Sequence, residues 1–250
     1  MRIGLFGGTF NPFHSGHLQA CQDMITRFFL DRMILIPAAI PPHKPQQGLA
    51  SPTDRLAMIR LATTRFSNMD VSDIELTRPG PSYTVDTLTF FRRGYPDVDD
   101  LFLVMGLDAF LEFHTWKSWQ TILKICTILV MNRPGAYGGE SRDKGQLFDA
   151  YVRKRFGYDL SESIDFSALP GHREPVCGRT AGKGAKSAEP IDLSESLYYH
   201  PDNRPLVLTP IDSMDISSSR IRQMIRDGQS IRSVVPESVA RYISEKGLYQ

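Results

Sequence analysis

Two rhythms of apolar and polar positions alternate through the first half of this chain. Ile3 to Phe6 is a short apolar run that reads as a strand, whereas Gly16 to about Phe29 carries helical spacing. Arg32-Met33-Ile34-Leu35-Ile36-Pro37 predicts a second strand, followed by Pro41-Pro42-His43-Lys44-Pro45, which can be neither helix nor central strand. Ser51-Pro52-Thr53-Asp54 predicts a helix start, with a cap, Pro at the first helical position and a carboxylate three residues after the cap. Leu56, Ile59, Leu61 and Ala62 form its expected buried face. Met69 to Leu76 reads as a third strand and Ser82 to about Arg93 as a helix. Leu101-Phe102-Leu103-Val104-Met105 is continuously apolar, as a central parallel strand must be, and Thr127 to Met131 repeats the pattern. Strand and helix in alternation predict parallel βαβ units and an α/β fold.

The rhythm breaks from Ala136 to Pro205, where Gly, Ser and charged residues dominate. A short helix from Lys144 to Phe156 is expected there, with Leu147, Tyr151 and Phe156 apolar, but Ser161 to Glu189 has no sustained period and reads as a long loop. Gly178-Arg179-Thr180-Ala181-Gly182-Lys183-Gly184 is not a phosphate-binding P-loop. Three residues rather than four separate its glycines, Gly184 stands where a hydroxyl must meet magnesium, and no strand precedes it. Order returns with Leu206-Val207-Leu208-Thr209-Pro210 as a last strand. Asp215-Ile216-Ser217-Ser218-Ser219-Arg220-Ile221-Arg222 opens a helix that runs to Asp227 and stops at Gly228. Pro236 to Lys246 closes the chain as a helix with Val239, Tyr242 and Ile243 inward. The expectation is one domain over 1–250, with 136–205 as an insert and 206–250 as final strand and helices.

At 250 residues the chain can bury one substantial core. Its formal charge of +1 gives no global attraction to nucleic acid or to an anionic membrane, so any phosphate affinity must be local. Cys21, Cys126 and Cys177 are far apart and form no Cys-x-x-Cys pair; the first two read as small buried hydrophobes, which fits a reducing cytoplasm. No signal peptide precedes the first strand and no apolar run approaches the roughly 20 residues of a membrane span.

Chemistry concentrates where the first strand ends. Gly7-Gly8-Thr9-Phe10-Asn11-Pro12-Phe13-His14-Ser15-Gly16-His17 places a glycine turn and two imidazoles at the start of a helix, where backbone N–H groups and the helix dipole can hold phosphate. A zinc reading of His14 and His17 lacks a third ligand nearby. Asp108, after Gly106, and Asn132-Arg133 put polar groups at the ends of apolar strands, the edge where open α/β sheets hold ligands. Ser217 to Ser219 need supply only a helix cap, but capping uses one serine, and Arg222 one turn further in faces the same helix end.

Together, Gly7-Gly8-Thr9-Phe10-Asn11-Pro12-x-His14-x-Gly16-His17 and Ile216-Ser217-Ser218-Ser219-x-Ile221-Arg222 resemble the two signatures of the nucleotidyltransferases with a T/HxGH motif. Pro41-Pro42-His43-Lys44, Pro81-Ser82-Tyr83-Thr84, Gly106-x-Asp108, Thr115-Trp116 and Arg133-Pro134-Gly135 resemble the bacterial nicotinate mononucleotide adenylyltransferase branch. The resemblance implies a Rossmann-like, doubly wound parallel sheet with helices on both faces and a small helical C-terminal part. It implies adenylyl transfer from ATP to nicotinate mononucleotide, with Mg²⁺ carried mainly on the ATP phosphates and no metal ligands from the protein. His14, His17, Lys44 and Arg222 would then be catalytic, with His17 steadying the α-phosphoryl group. ATP would lie on Gly7, Gly8, Thr9, Phe10, His14, His17, Ser218, Ser219 and Arg222. Thr84, Asp108, Trp116, Lys117 and Arg133 would take the acceptor, Trp116 as a stacking face and Arg133 at its phosphate. A solvated loop charge remains the rival reading of Lys44, and a core-filling ring that of Trp116. Ser219 replaces the family's usual Thr, Lys117 its frequent aromatic residue, and the segment between Pro134 and Leu206 is longer than the family norm, with an idle surface loop as the default reading. Other acceptors, such as nicotinamide mononucleotide or pantetheine phosphate, cytidylyl transfer, or a silent nucleotide sensor are the alternatives; a homo-oligomer remains open.

Overall fold

In the computed structural model, residues 1–39, 48–95, 98, 100–132, 141–161, 196–211 and 216–250 are described, with 141–147 described by backbone only. The expected alternation is present as β1 (Arg2–Gly8), α1 (Ser15–Arg27), β2 (Arg32–Pro37), α2 (Pro52–Thr63), β3 (Met69–Val71), α3 (Ile74–Thr77), α4 (Thr84–Gly94) and β4 (Asp100–Gly106). Next come α5 (Leu107–Leu111), a 3₁₀ turn (Phe113–Thr115), α6 (Trp119–Ile125) and β5 (Thr127–Asn132). The chain continues with α7 (Ser141–Phe156), β6 (Asp159–Leu160), β7 (Ser196–Tyr199), β8 (Leu206–Pro210), α8 (Ser218–Arg226) and α9 (Glu237–Lys246).

The strands form one sheet in the order β3-β2-β1-β4-β5-β8-β7-β6. The six from β3 to β8 run parallel, and β7 turns back antiparallel on β8, then β6 on β7. Alternate residues of each strand serve opposite faces. Phe6, Leu35, Phe102, Val104, Leu129 and Val207 pack against α1, α2, α8 and α9. Their neighbours Leu5, Ile34, Leu103, Ile128, Val130 and Leu206 pack against α4, α6 and α7. This is a doubly wound sheet, and the two last helices belong to its first layer: Ile221, Val239 and Ile243 share a core with Met24 and Ile59. Because β1 leads to β2 on one side while β4 lies on the other, the connections diverge between β1 and β4, and their C-terminal ends open a crevice there.

Several boundaries depart from expectation for local reasons. β3 stops at Val71 because Ser72 and Asp73 form a turn: the Ser72 hydroxyl accepts from the Ile74 N–H and the Asp73 carbonyl from Leu76 and Thr77, starting α3 instead of extending an edge strand. Ser82 lies outside α4, its hydroxyl accepting from the Ala39 N–H at 3.0 Å. On α2, Leu61 faces outward and Arg55 inward, so the expected apolar face is rotated by part of a turn. The segment 136–205 holds α7, β6 and β7; the two short strands, which the sequence does not predict, lie on either side of the expected Ser161–Glu189 loop, and 162–189 of that loop lie outside the described residues. Cys126 ends α6 immediately before β5, and burial pushes both its thiol and that of Cys21 far up, away from thiolate chemistry.

Candidate active site

The end of β1 builds the floor of the crevice. A Cβ on Gly8 would meet the Phe10 ring at 2.9 Å, whereas one on Gly7 would meet nothing within 4 Å, so Gly8 answers to packing and Gly7 leaves room above the sheet edge. Phe10 takes a left-handed backbone, φ +51°, and turns its ring in against Phe6 and Phe13. That turn delivers His14 and His17 to the first turn of α1.

The two imidazoles cap the helix reciprocally. His14 Nδ1 accepts from the His17 N–H and His17 Nδ1 accepts from the His14 N–H, each at 3.3 Å, in a capping box built of two rings. The rings stack on each other with centroids 3.6 Å apart, and His17 also contacts Phe10 edge-on at 5.1 Å and Phe13 at 5.3 Å. An Nδ1 that accepts leaves the ring proton on Nε2, so each neutral imidazole is set as an Nε2–H donor in a locked orientation. The Ser15 N–H donates to the Val234 carbonyl at 3.0 Å. The Ser15 and His17 amides are thus already engaged within the protein.

The C-terminal signature reaches the same turn. Ser217 caps α8 by accepting from the Arg220 N–H. The Ser218 hydroxyl donates to the Pro12 carbonyl at 3.0 Å, and Arg222 donates to the Asn11 carbonyl at 2.8 Å and to the Ser219 hydroxyl at 3.2 Å. Two motifs some 200 residues apart therefore meet backbone to side chain, as a shared phosphate site demands.

Four of the five acceptor candidates are among the described residues. Asp108, in α5 directly after β4, folds back so closely that a Cβ on Gly106 would lie 2.6 Å from its carboxylate oxygen. Thr84 opens α4, which carries no side-chain cap. Lys117 donates to Asp86 at 3.2 Å and lies 4.3 Å above the Tyr83 ring, which joins the loop after Trp116 to the start of α4. Trp116 is half-buried, edge-on to Phe113 at 5.5 Å, and so stands at the rim of the core rather than inside it. Lys44 and Arg133 lie outside the described residues.

Two buried charged residues nearby leave no trace in the sequence pattern. Arg55 is 1% exposed and its guanidinium donates to the carbonyls of Ala38 (2.7 Å), Thr9 (2.9 Å), Ala50 (3.2 Å) and Ala39 (3.4 Å), with no carboxylate among its partners in the described residues. Burial pushes its pKa down, yet a guanidinium stays charged. Nothing in its spacing separates it from a solvated arginine beside Leu56. Glu75 is buried in α3, accepting from the Thr87 hydroxyl at 2.7 Å, and its signal was masked by the expected strand. Among the described residues no group of three or more His, Cys, Asp or Glu is placed to hold a metal ion, and no helix is long and apolar enough to cross a membrane.

A family model described as cytidylyltransferase-like matches residues 5–224. A protein of Desulfatibacillum aliphaticivorans named "Probable nicotinate-nucleotide adenylyltransferase" is 36% identical over 251 residues, covering 100% of both chains. One of Geobacter metallireducens with the same name is 38% identical over 249 residues, covering 100% of this chain and 98% of its own. Among solved structures, Plasmodium falciparum nicotinic acid mononucleotide adenylyltransferase complexed with NaAD superposes with a TM-score of 0.63 at 14% identity, covering 99% of this chain and 97% of that one. The last likeness is one of fold.

Proposed function

The chain belongs to the nicotinate-nucleotide adenylyltransferase family, and on that premise we propose that it transfers the adenylyl group of ATP to nicotinate mononucleotide, releasing pyrophosphate and forming nicotinate adenine dinucleotide. The observation that carries this reading is the meeting of the two signatures: Arg222 and Ser218 bonded to Asn11 and Pro12, three and two residues before the paired imidazoles.

The chemistry asks little covalent work of the protein. The acceptor phosphate is already an anionic nucleophile; its oxygen bonds to the α-phosphorus as the bond from that phosphorus to the bridging oxygen breaks, and pyrophosphate leaves with the electron pair. The enzyme must align two anions and neutralise charge on the leaving group. His14 and His17 present Nε2–H donors for this, with His17 at the α-phosphoryl group. The Ser219 hydroxyl and the Arg222 guanidinium, at the exposed start of α8, would take the β- and γ-phosphates, and Ser218 joins them once it exchanges its Pro12 partner. Lys44 adds a further cation. Thr84, Asp108, Trp116, Lys117 and Arg133 would hold the acceptor. Among the described residues the donors here are N–H and O–H groups rather than clustered carboxylates, which suits magnesium borne on the triphosphate, where it would offset phosphate charge.

The test offers Mg-ATP with nicotinate mononucleotide, nicotinamide mononucleotide and pantetheine phosphate separately and follows pyrophosphate. The expected result is the highest kcat/KM with the nicotinate compound. Nucleotide binding with no pyrophosphate from any acceptor would make the protein a sensor and overturn the reading.

A further inference from the structure

Beyond the two signatures, one more residue bears on the phosphate site, and it lies in the segment after α9. Tyr249 adopts a left-handed backbone, φ +67°, that turns its half-buried side chain back toward the end of β1. Its hydroxyl donates to Asn11 Oδ1 at 2.8 Å. Asn11 is 2% exposed and bonded on both sides of its amide: Oδ1 also accepts from the Ala50 N–H at 2.9 Å, Nδ2 donates to the Gly48 carbonyl at 3.1 Å, and its main-chain carbonyl accepts from Arg222 at 2.8 Å. Asn11 is thus where the approach to α2, the first turn of α8 and the segment after α9 meet, three residues before His14.

We propose that Tyr249 is a positioning residue of the nucleotide site, acting through Asn11 to hold the His14–His17 turn against Arg222; this rests on the adenylyltransferase reading. A carboxamide with two donors on Oδ1 and one acceptor on Nδ2 has a single satisfied orientation. Removing one of those donors in a buried place leaves Oδ1 half-satisfied and lets the amide turn. The Asn11 carbonyl and the following Pro12 carbonyl move with it, and these are the atoms that α8 grips. Donors aimed at phosphate lose their value when displaced by a fraction of an ångström. Tyr249 itself touches no reacting atom.

α9 supplies an internal control, because Tyr242 also donates its hydroxyl, at 2.8 Å, but to Asp54 of α2 rather than to the turn. Tyr249→Phe and Tyr242→Phe each remove one hydroxyl from the packing of the same helix and its extension. The expected result is that Tyr249→Phe weakens ATP binding, by direct titration and by KM, about five- to tenfold, the equivalent of one ordinary hydrogen bond, and leaves KM for the acceptor within about twofold. Tyr242→Phe should lower Tm comparably and leave both constants within about twofold. Equal ATP affinity in wild type and Tyr249→Phe, or parallel losses for ATP and acceptor, or the same losses in Tyr242→Phe, would each overturn the positioning role. A wild-type protein that binds no ATP overturns the adenylyltransferase reading and this inference with it, so the two failures are distinct.

Discussion

At the residue scale the unusual feature is that one pair of imidazoles does two jobs through different atoms. Nδ1 of each ring caps a helix, and on the proposed reading Nε2 of each serves the phosphates, so the two roles can be separated by substitution. His14→Asn places an amide oxygen near the Nδ1 position, where Asn is a good helix cap. It should keep Tm within a few degrees, the equivalent of less than about 1 kcal/mol, while kcat/KM falls. His17→Ala should lower kcat by about 10²-fold or more, the scale for losing a donor to transition-state charge, with the far-UV circular dichroism unchanged. Wild-type turnover in His17→Ala would remove that ring from the mechanism. The pair was visible in the sequence because both residues sit within one turn of each other. Their mutual capping was not, since histidine is a rare cap, and Arg55 was hidden by standing next to an inward leucine. Glu75 supplies a pH test. Burial, the largest cause, raises its carboxyl above the ordinary 4.5, against the hydrogen bonds from Thr87 and Ser82 and the charge of Arg78. The folded state therefore holds that proton more tightly than the unfolded chain, so its stabilising contribution is complete below the ordinary value and is lost as pH rises through the folded one. In thermal melts, the Tm of Glu75→Gln minus that of wild type should grow from about pH 4 to about pH 7. A difference constant with pH would mean that the ionised carboxylate is not penalised.

Elements of helical and strand length were legible where their apolar runs were long. β2 and β8 fall on their expected residues, and β4 and β5 extend theirs by a residue or two, because continuous apolar runs suit strands covered on both faces. α5, the 3₁₀ turn, α6, β6 and β7 were missed because each is too short to show a period. Their packing nonetheless shapes the site. α7, from the supposed insert, buries Phe148, Val152 and Phe156 on the sheet. Phe156 meets Phe110 at 5.5 Å, Trp119 at 5.3 Å and Phe113 at 5.9 Å, and Phe113 in turn braces Trp116. This helix packs into the core behind Phe113 and Trp116, and on the proposed reading it backs the acceptor side. Phe156→Leu should therefore raise KM for the acceptor about three- to tenfold, the loss of one or two aromatic contacts, while KM for ATP stays within about twofold. Steady-state kinetics with each substrate varied in turn would decide it; equal changes in both would mean general loosening.

For the molecule as a whole, the parallel sheet and its crevice were readable from the strand–helix alternation, but the sheet order and its antiparallel extension through β7 and β6 were not. Long-range pairing leaves little local trace, and β6 contributes only two residues. Charge tells a similar story at this scale. A net of +1 attracts no polyanion from afar, so the attraction to a triphosphate must be generated by a few cations set at the crevice. Those cations differ in kind. Arg222 is partly open to solvent, whereas Arg55, its charge walled in by four carbonyls beneath the glycine turn, is beyond the reach of dissolved ions. Electrolyte shields the former within about 10 Å at 0.1 M but cannot enter around the latter. Titrating ATP against rising potassium chloride should accordingly show affinity that falls and then levels off at a residual value, and in Arg55→Met that plateau should drop. A buried arginine whose partners among the described residues are carbonyls alone would thus lend this pocket an attraction that brine cannot wash away.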